Sequence, residues 1–262
     1  SERPGSVVNA GDLTFADGAA VVLLGGTVVN TGALFAPNGS ITLTAVSDDN
    51  VVRLSQENNL LSLELATLEQ STPMGMSGPA ASMFTPLDLP ALLTYGDAAH
   101  ATGLSVAADG SVRLTSTAGT DSSVLPTSMG DVIASGRLSV DSPNGQGGQI
   151  AVLGDRVLAL NAQLSASGRL GGGNLRLGGD YQGQGPLLTA DRTFVSADTV
   201  ITANAIDSGN GGRVILWADG NTGFFGDISA NGGDISGNGG FVEISGKQNL
   251  TFQGTVTTHA PQ

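Results

Sequence analysis

The feature that most constrains this chain is a phrase that it uses twice within residues 211–246. Gly211-Gly212-Arg213-Val214-Ile215-Leu216 returns 28 positions later as Gly239-Gly240-Phe241-Val242-Glu243-Ile244, and Gly-Asn precedes both copies. A glycine turn feeds a short strand whose alternate residues, Val214 and Leu216 or Val242 and Ile244, are apolar and share one face. Self-similarity at a fixed period of about 20–50 residues is the signature of solenoids and propellers.

The same grammar runs through the rest of the sequence. Val7-Val8-Asn9-Ala10-Gly11-Asp12-Leu13 returns 21 positions later as Val28-Val29-Asn30-Thr31-Gly32-Ala33-Leu34. Glycine followed by apolar residues at the second and fourth positions recurs at Gly39, Gly110, Gly148, Gly173, Gly212 and Gly240, with a poorer copy at Gly18. The intervals are 21, 71, 38, 25, 39 and 28. A second phrase lies between copies of the first: Leu138-Ser139-Val140, Leu164-Ser165-Ala166, Ile228-Ser229-Ala230-Asn231, and a worn Val256-Thr257-Thr258. Two phrases in constant order require at least two strands per repeat. A repeat of this length fits a coil of three short strands better than a propeller blade of about 40–45 residues. The fold class expected is all-β, a parallel β-helix of about eight or nine coils, roughly 40 Å long at ~4.8 Å per coil. Asn9 and Asn30, one period apart, read first as turn residues, since asparagine tolerates positive φ; the alternative is a stacked asparagine ladder.

The long intervals locate excursions in one domain spanning residues 1–262. The largest is placed at 56–102. It opens with Leu61-Ser62-Leu63-Glu64-Leu65, which still alternates and reads as a coil strand. It then crowds Pro73, Pro79, Pro86 and Pro90 with Met74, Met76, Met83 and Phe84. Asp88-Leu89-Pro90 reads as an N-cap and first turn of a short helix. A smaller loop is expected at 178–192, between Leu177 and Phe194, and a polar Ser/Thr-rich one around 116–129.

Composition supports a narrow aliphatic core with tight corners: 40 of 262 residues are glycine, and 40% are hydrophobic but only 4% aromatic. Such a chain has the apolar content that disordered segments lack. Ten Lys and Arg against 23 Asp and Glu leave a net charge of -13. That balance argues against nucleic acid, whose phosphates need a basic face, and against anionic membrane surfaces. With no cysteine, disulfides, thiolate metal sites and cysteine nucleophiles are excluded. No apolar run reaches the ~18 residues of a membrane helix. Ser1-Glu2-Arg3-Pro4-Gly5 lacks the basic and apolar regions of a signal peptide, and the sequence reads as a segment of a longer protein.

Residues that could carry chemistry are sparse. Asp180, Asp191, Asp198 and Asp207 follow no repeated spacing. Asp48-Asp49-Asn50 is an acidic corner with the oxygens that calcium prefers, but a solvated turn needs no special assumption and is the preferred reading. Gly232-Gly233-Asp234-Ile235-Ser236-Gly237 does not fit the glycine-rich calcium nonapeptide. His100 and His259 lie near no nucleophile elbow, and Gly209-Asn210-Gly211-Gly212 lacks the ending of a phosphate loop. No catalytic, cofactor or metal residue is therefore expected. Four residues are the candidate ligand contacts: Asp180, Tyr181 and Gln182 in the smaller loop, and Trp217, which alternation turns outward and leaves exposed or half-exposed, although packing against the adjacent loop is the preferred reading of that ring. One ring of Phe224 and Phe225 is expected in the core.

The chain resembles the large two-partner-secreted exoproteins of the filamentous haemagglutinin type, especially their cyanobacterial branch. The motifs that carry the resemblance are residues 28–34 with Ala36-Pro37-Asn38-Gly39-Ser40-Ile41-Thr42-Leu43, then Leu177-Gly178-Gly179-Asp180-Tyr181-Gln182-Gly183, Arg192-Thr193-Phe194-Val195-Ser196-Ala197, and residues 209–246. The resemblance implies a right-handed single-stranded parallel β-helix, secreted through an outer-membrane partner transporter and displayed on the outer cell surface as an adhesin-like rod. The secretion domain of such proteins carries Asn-Pro-Asn, whereas this sequence has Ala36-Pro37-Asn38. The expected function is a structural and adhesive segment that meets glycans or cell-surface proteins, with open ends prone to end-to-end self-association. The alternative is a carbohydrate-active β-helix enzyme, a polysaccharide lyase or hydrolase. A third reading, an ice- or mineral-binding surface, has only Thr255-Val256-Thr257-Thr258 in its favour.

Overall fold

The computed structural model describes residues 4–47, 50–57, 60–67, 101–106, 112–116, 124–125 and 129–261. These residues are all β apart from one short 3-10 turn at Tyr181–Gly183. Most strands belong to three ladders of parallel pairs. The first joins Ser6–Asn9, Thr27–Asn30, the opening halves of Asp131–Ser139 and Arg156–Ser165, then Arg192–Val195, Asn221–Phe224 and Asn249–Phe252. The second joins Asp12–Thr14, Ala33–Phe35, the closing halves of the same two long strands, then Val200–Thr202, Asp227–Ser229 and Thr255–Thr257. The third joins Ala20–Gly25, Ser40–Ala45, Gln149–Leu153, Asn174–Leu177, Arg213–Ala218 and Phe241–Gly246. Each chain segment crosses all three before pairing with the next. Parallel sheets of this kind are consistent with a β-helix or solenoid-like fold.

Register aligns like residues into columns. Leu34, Leu138, Leu164, Ile201 and Ile228 follow one another on the second ladder, and all are buried. Ile41, Ile150, Leu175 and Val214 do so on the third, each fully buried. On the first ladder the column runs Val28, Val132, Val157 and then Thr193 and Thr222. The two threonines keep the shape of valine, and their hydroxyls donate to backbone carbonyls, Thr193 to Trp217 at 2.6 Å and Thr222 to Ser245 at 2.7 Å. A buried hydroxyl is tolerated where such a partner exists. Phe224 is fully buried, as expected for one ring of the pair.

The recurring glycines have a steric cause. A Cβ on Gly148 would lie 2.1 Å from the carbonyl oxygen of Gly39, one on Gly173 2.1 Å from that of Gly148, one on Gly212 2.1 Å from that of Gly173, and one on Gly240 2.2 Å from that of Gly212. Each rung thus enters the third ladder through a position pressed against the backbone of the rung before. The Asn9–Asn30 ladder is present: Asn9 Nδ2 donates to Asn30 Oδ1 at 2.8 Å, and Asn30 Nδ2 donates to the Gly32 carbonyl at 3.0 Å. It stops there, because the next residue in register is Ala134.

Three expectations need correction. The first two ladders have seven rungs and the third has six among the described residues, not eight or nine. The Gly110 copy is not a rung: Val112–Ser116 pairs antiparallel with Ala101–Val106 and Val124–Leu125. The alternating run at 61–65 is not one either, since Leu60–Thr67 pairs antiparallel with Asn50–Glu57. The parallel partner of Ser40–Ala45 on its far side is Gln149–Leu153. Apolar alternation marks any half-buried strand, whatever its partner. Conversely, Val200-Ile201-Thr202-Ala203-Asn204 is a rung of the second phrase that the sequence reading missed. The acidic corner at 48–49, the proline- and methionine-rich run with its helix start at 88–93, and His100 lie outside the described residues.

Replacing Gly173 by alanine presses a methyl group into the Gly147–Gly148 backbone and is expected to cost about 1–3 kcal/mol, the usual range for overpacking. Gly5→Ala meets nothing within 4 Å and should change stability by less than about 0.5 kcal/mol. Urea unfolding of the two variants checks the contrast; equal stabilities would contradict the close approach.

Candidate functional site

The smaller excursion leaves the third ladder at Leu177 and returns at Arg192. Asp180 caps its single 3-10 turn by accepting the Tyr181 N–H at 2.7 Å. Arg176 Nε lies 3.2 Å from Asp180 Oδ1, an ion pair without hydrogen-bond alignment. The Gln182 N–H points between both oxygens of Glu243, 3.2 Å from each. Glu243 also accepts the Ser245 hydroxyl at 2.7 Å. The loop is thereby fastened to the outward face of the strands 213–218 and 241–246.

Trp217 lies under this loop. Alternation correctly turns it outward, but it is only 8% exposed, because the loop backbone covers it. Gly183 has φ +64°, and a Cβ there would fall 2.5 Å from the indole ring, so the position needs glycine twice over. The indole N–H is buried without a hydrogen-bond partner. The structure therefore brings Asp180, Tyr181 and Gln182 together at the surface, and assigns Trp217 to seating the loop rather than to contacting a ligand.

Tyr181 leads to two residues that the sequence reading did not single out. Arg213 is in register with Asn174 on one side and Phe241 on the other. Its guanidinium carbon lies 5.0 Å from the centroid of the Tyr181 ring and 5.0 Å from that of Phe241, within cation–π range. The two rings meet edge to face at 5.6 Å. Tyr181 is 38% and Phe241 46% exposed. A shallow groove of about 780 Å³ crosses the corner of the rungs beside this cluster, with Arg213, Phe241 and Leu170 in its lining and Gly172, Gly211, Gly212 and Gly240 along it. The glycines are dictated by rung packing, and along them the groove bed is bare backbone. The signal was available: Arg213 and Phe241 hold the same position after Gly-Gly in the two copies of the opening phrase, so the repeat itself stacks them.

A second cluster lies at another corner. Arg156 makes two bonds to the buried carboxylate of Asp131, at 2.6 and 2.5 Å. Asp155 and Asp191 follow each other on adjacent rungs, the Asp155 carbonyl accepting the Asp191 N–H at 2.8 Å. Burial raises the Asp155 carboxyl above its ordinary 3.8; the Ser47 hydroxyl and Arg156 oppose this, and Asp131 and Asp191 add to it. Asp191, Asp180 and Asp207 are each drawn to an arginine of their own, Arg192, Arg176 and Arg169. Among the described residues, no three carboxylate or imidazole groups converge closely enough to hold a metal ion.

No protein-family model matches the chain, and no curated protein matches it in sequence. Among solved structures, the crystal structure of the HMW1 secretion domain from Haemophilus influenzae is similar at 20% identity and a TM-score of 0.47. The alignment covers 98% of this chain and 66% of that one, so this chain spans just under two thirds of its length. No helix among the described residues is long and apolar enough to cross a membrane.

A raised carboxyl pKa in the folded state has a definite sign. Between the ordinary value and the raised one, the folded chain keeps a proton that the unfolded chain has released, so stability from this group falls as pH rises through that window. Asp155→Asn removes the ionisation and is expected to stabilise the protein at neutral pH, with the advantage fading once pH drops below the ordinary carboxylate value. Urea midpoints across an acid-to-neutral series check this; a variant that is less stable at neutral pH would contradict it.

Proposed function

We propose that this chain is a right-handed single-stranded parallel β-helix and serves as a structural and adhesive rod segment of a secreted, surface-displayed exoprotein. The observation that carries the reading is the in-register parallel pairing of all three ladders, whose core continues from rung to rung. A unit that adds length by adding rungs suits a stiff spacer, and seven rungs at ~4.8 Å span about 30 Å. The motifs that resemble filamentous haemagglutinin-type exoproteins support the same reading. So does the arrangement of charges, in which Asp131, Asp180, Asp191 and Asp207 each pair with one arginine.

On this reading the parent protein crosses the outer membrane through a partner transporter. The displayed segment then contacts glycans or cell-surface proteins without turning them over, and uses neither metal nor cofactor. The terminal rungs leave Val8 and Leu13 at one end, and Leu250 and Phe252 at the other, 41–48% exposed. Stacking of two copies end to end would cover them.

The test is a glycan array and a cell-adhesion assay on the 262-residue chain and on a variant lacking residues 56–102, with polysaccharide breakdown followed in parallel. The expected outcome is retention on glycans or cells with no release of sugar. Saccharide cleavage, or the absence of retention on every surface, would overturn the proposal. Retention that survives the deletion assigns recognition to the remaining surface.

A further inference from the structure

We propose that the groove beside Arg213 is a saccharide-binding site selective for carboxylate-bearing sugars, the uronate class. The inference rests on the adhesive reading above and names its ligand and its place.

Four observations meet in this groove. The first concerns charge. The described arginines at 156, 169, 176 and 192 each lie against an aspartate. Arg213 lies against none; two aromatic faces hold it, and its buried Nε has no hydrogen-bond partner. A partly exposed guanidinium held by rings and paired with no carboxylate among the described residues is matched to a planar carboxylate, although its buried Nε lies out of a ligand's reach. In a chain of net charge -13, such a site needs a built cation, because the rest of the surface repels an anionic ligand. Glu243, two residues beyond Phe241 on the same face of the strand, is engaged by the Gln182 N–H and the Ser245 hydroxyl.

The second observation is the pair of exposed rings. Phe241 lines the groove, and Tyr181 packs against it from beside the groove; both rings are exposed next to polar groups, the combination that grips a sugar ring by its C–H face. The third is the bed of the groove. Its glycines leave room for a flat ligand, and their N–H groups are already spent on backbone carbonyls, Gly172 on Asn210 and Gly211 on Asn238 of the next rung, and Gly212 on Ala203 and Gly240 on Ala230 within one turn of the chain. A peptide could not add itself as a strand there, since that mode of recognition needs unpaired backbone groups. The fourth is Asn174, one rung from Arg213 on the same outward column and lining the same groove, whose amide can serve a hydroxyl next to the carboxylate.

Charge, stacking faces and a spent backbone together favour an acidic sugar over a neutral one and over a peptide. The contact is expected to weaken as salt is raised, because the carboxylate reaches Arg213 at a partly exposed site.

Isothermal titration and saturation-transfer NMR with an oligogalacturonate, its methyl ester and a neutral oligosaccharide of equal length test the proposal on the 262-residue chain. The oligogalacturonate should bind best. Arg213→Gln should lower its affinity about tenfold or more, the usual weight of a hydrogen bond to a charged group, and Arg213→Lys should recover only part. Phe241→Ala should weaken the acid and the ester alike. Unchanged thermal unfolding of the variants ties any loss to the site. Equal affinity for acid, ester and neutral sugar would overturn the carboxylate selectivity and leave the adhesive reading standing. Full affinity in both Arg213→Gln and Phe241→Ala would overturn the site. Retention on cells with no saccharide bound would overturn the ligand class alone.

Discussion

Everything in this molecule depends on how closely one rung can lie on the next. The parallel ladders need backbones at ~4.8 Å, and the corner that leads into the third ladder leaves no room for a side chain. The column Gly39, Gly148, Gly173, Gly212 and Gly240 is the result, each glycine set against the carbonyl oxygen before it. Once that corner is fixed, the next residues fall into register. Val214 and Leu216 turn into the core, and Arg213, Ile215 and Trp217 turn outward. The site inherits its geometry from this step. Arg213 faces Phe241 because both stand immediately after a corner glycine.

The inner columns and the outer surface solve different problems with the same register. Inside, stacking repeats one aliphatic shape, and the few polar intrusions each find a partner. Thr193 and Thr222 bond to carbonyls, and Asn30 sits fully buried between Asn9 and Gly32. Outside, the same stacking gathers side chains distant in sequence into short rows. One row places Asn174, Arg213 and Phe241 side by side. A loop closes over the neighbouring row and seats Trp217.

The sequence made the ladder grammar legible because glycine and alternation both have direct steric causes. The offset of 21 between Val7 and Val28 and that of 28 between Val214 and Val242 are actual pairings. The step from Ser40 to Gln149 was not legible. Strands such as 112–116 alternate as well as any rung, and period alone does not tell a parallel partner from an antiparallel one. The exposure expected of Trp217 failed for another reason. Alternation gives the direction of a side chain, whereas exposure depends on a loop that starts 39 residues earlier, at Gly178. Of the candidate residues, Asp180, Tyr181 and Gln182 could be found because they interrupt the repeat. Arg213 and Phe241 were hidden because they belong to it.

The most direct test of the central claim is a cross-link across that long step. Cysteine is absent from the sequence, so a pair introduced as Thr42→Cys with Ala151→Cys has no competitor. These residues are register partners on the outward face of neighbouring strands, and a spacing of ~4.8 Å lies within the Cα range of disulfides. Mild oxidation of the folded protein should join them nearly completely. A second pair, Thr42→Cys with Arg113→Cys, represents a ladder that follows sequence order. Efficient closure of that pair, with none between 42 and 151, would contradict the account.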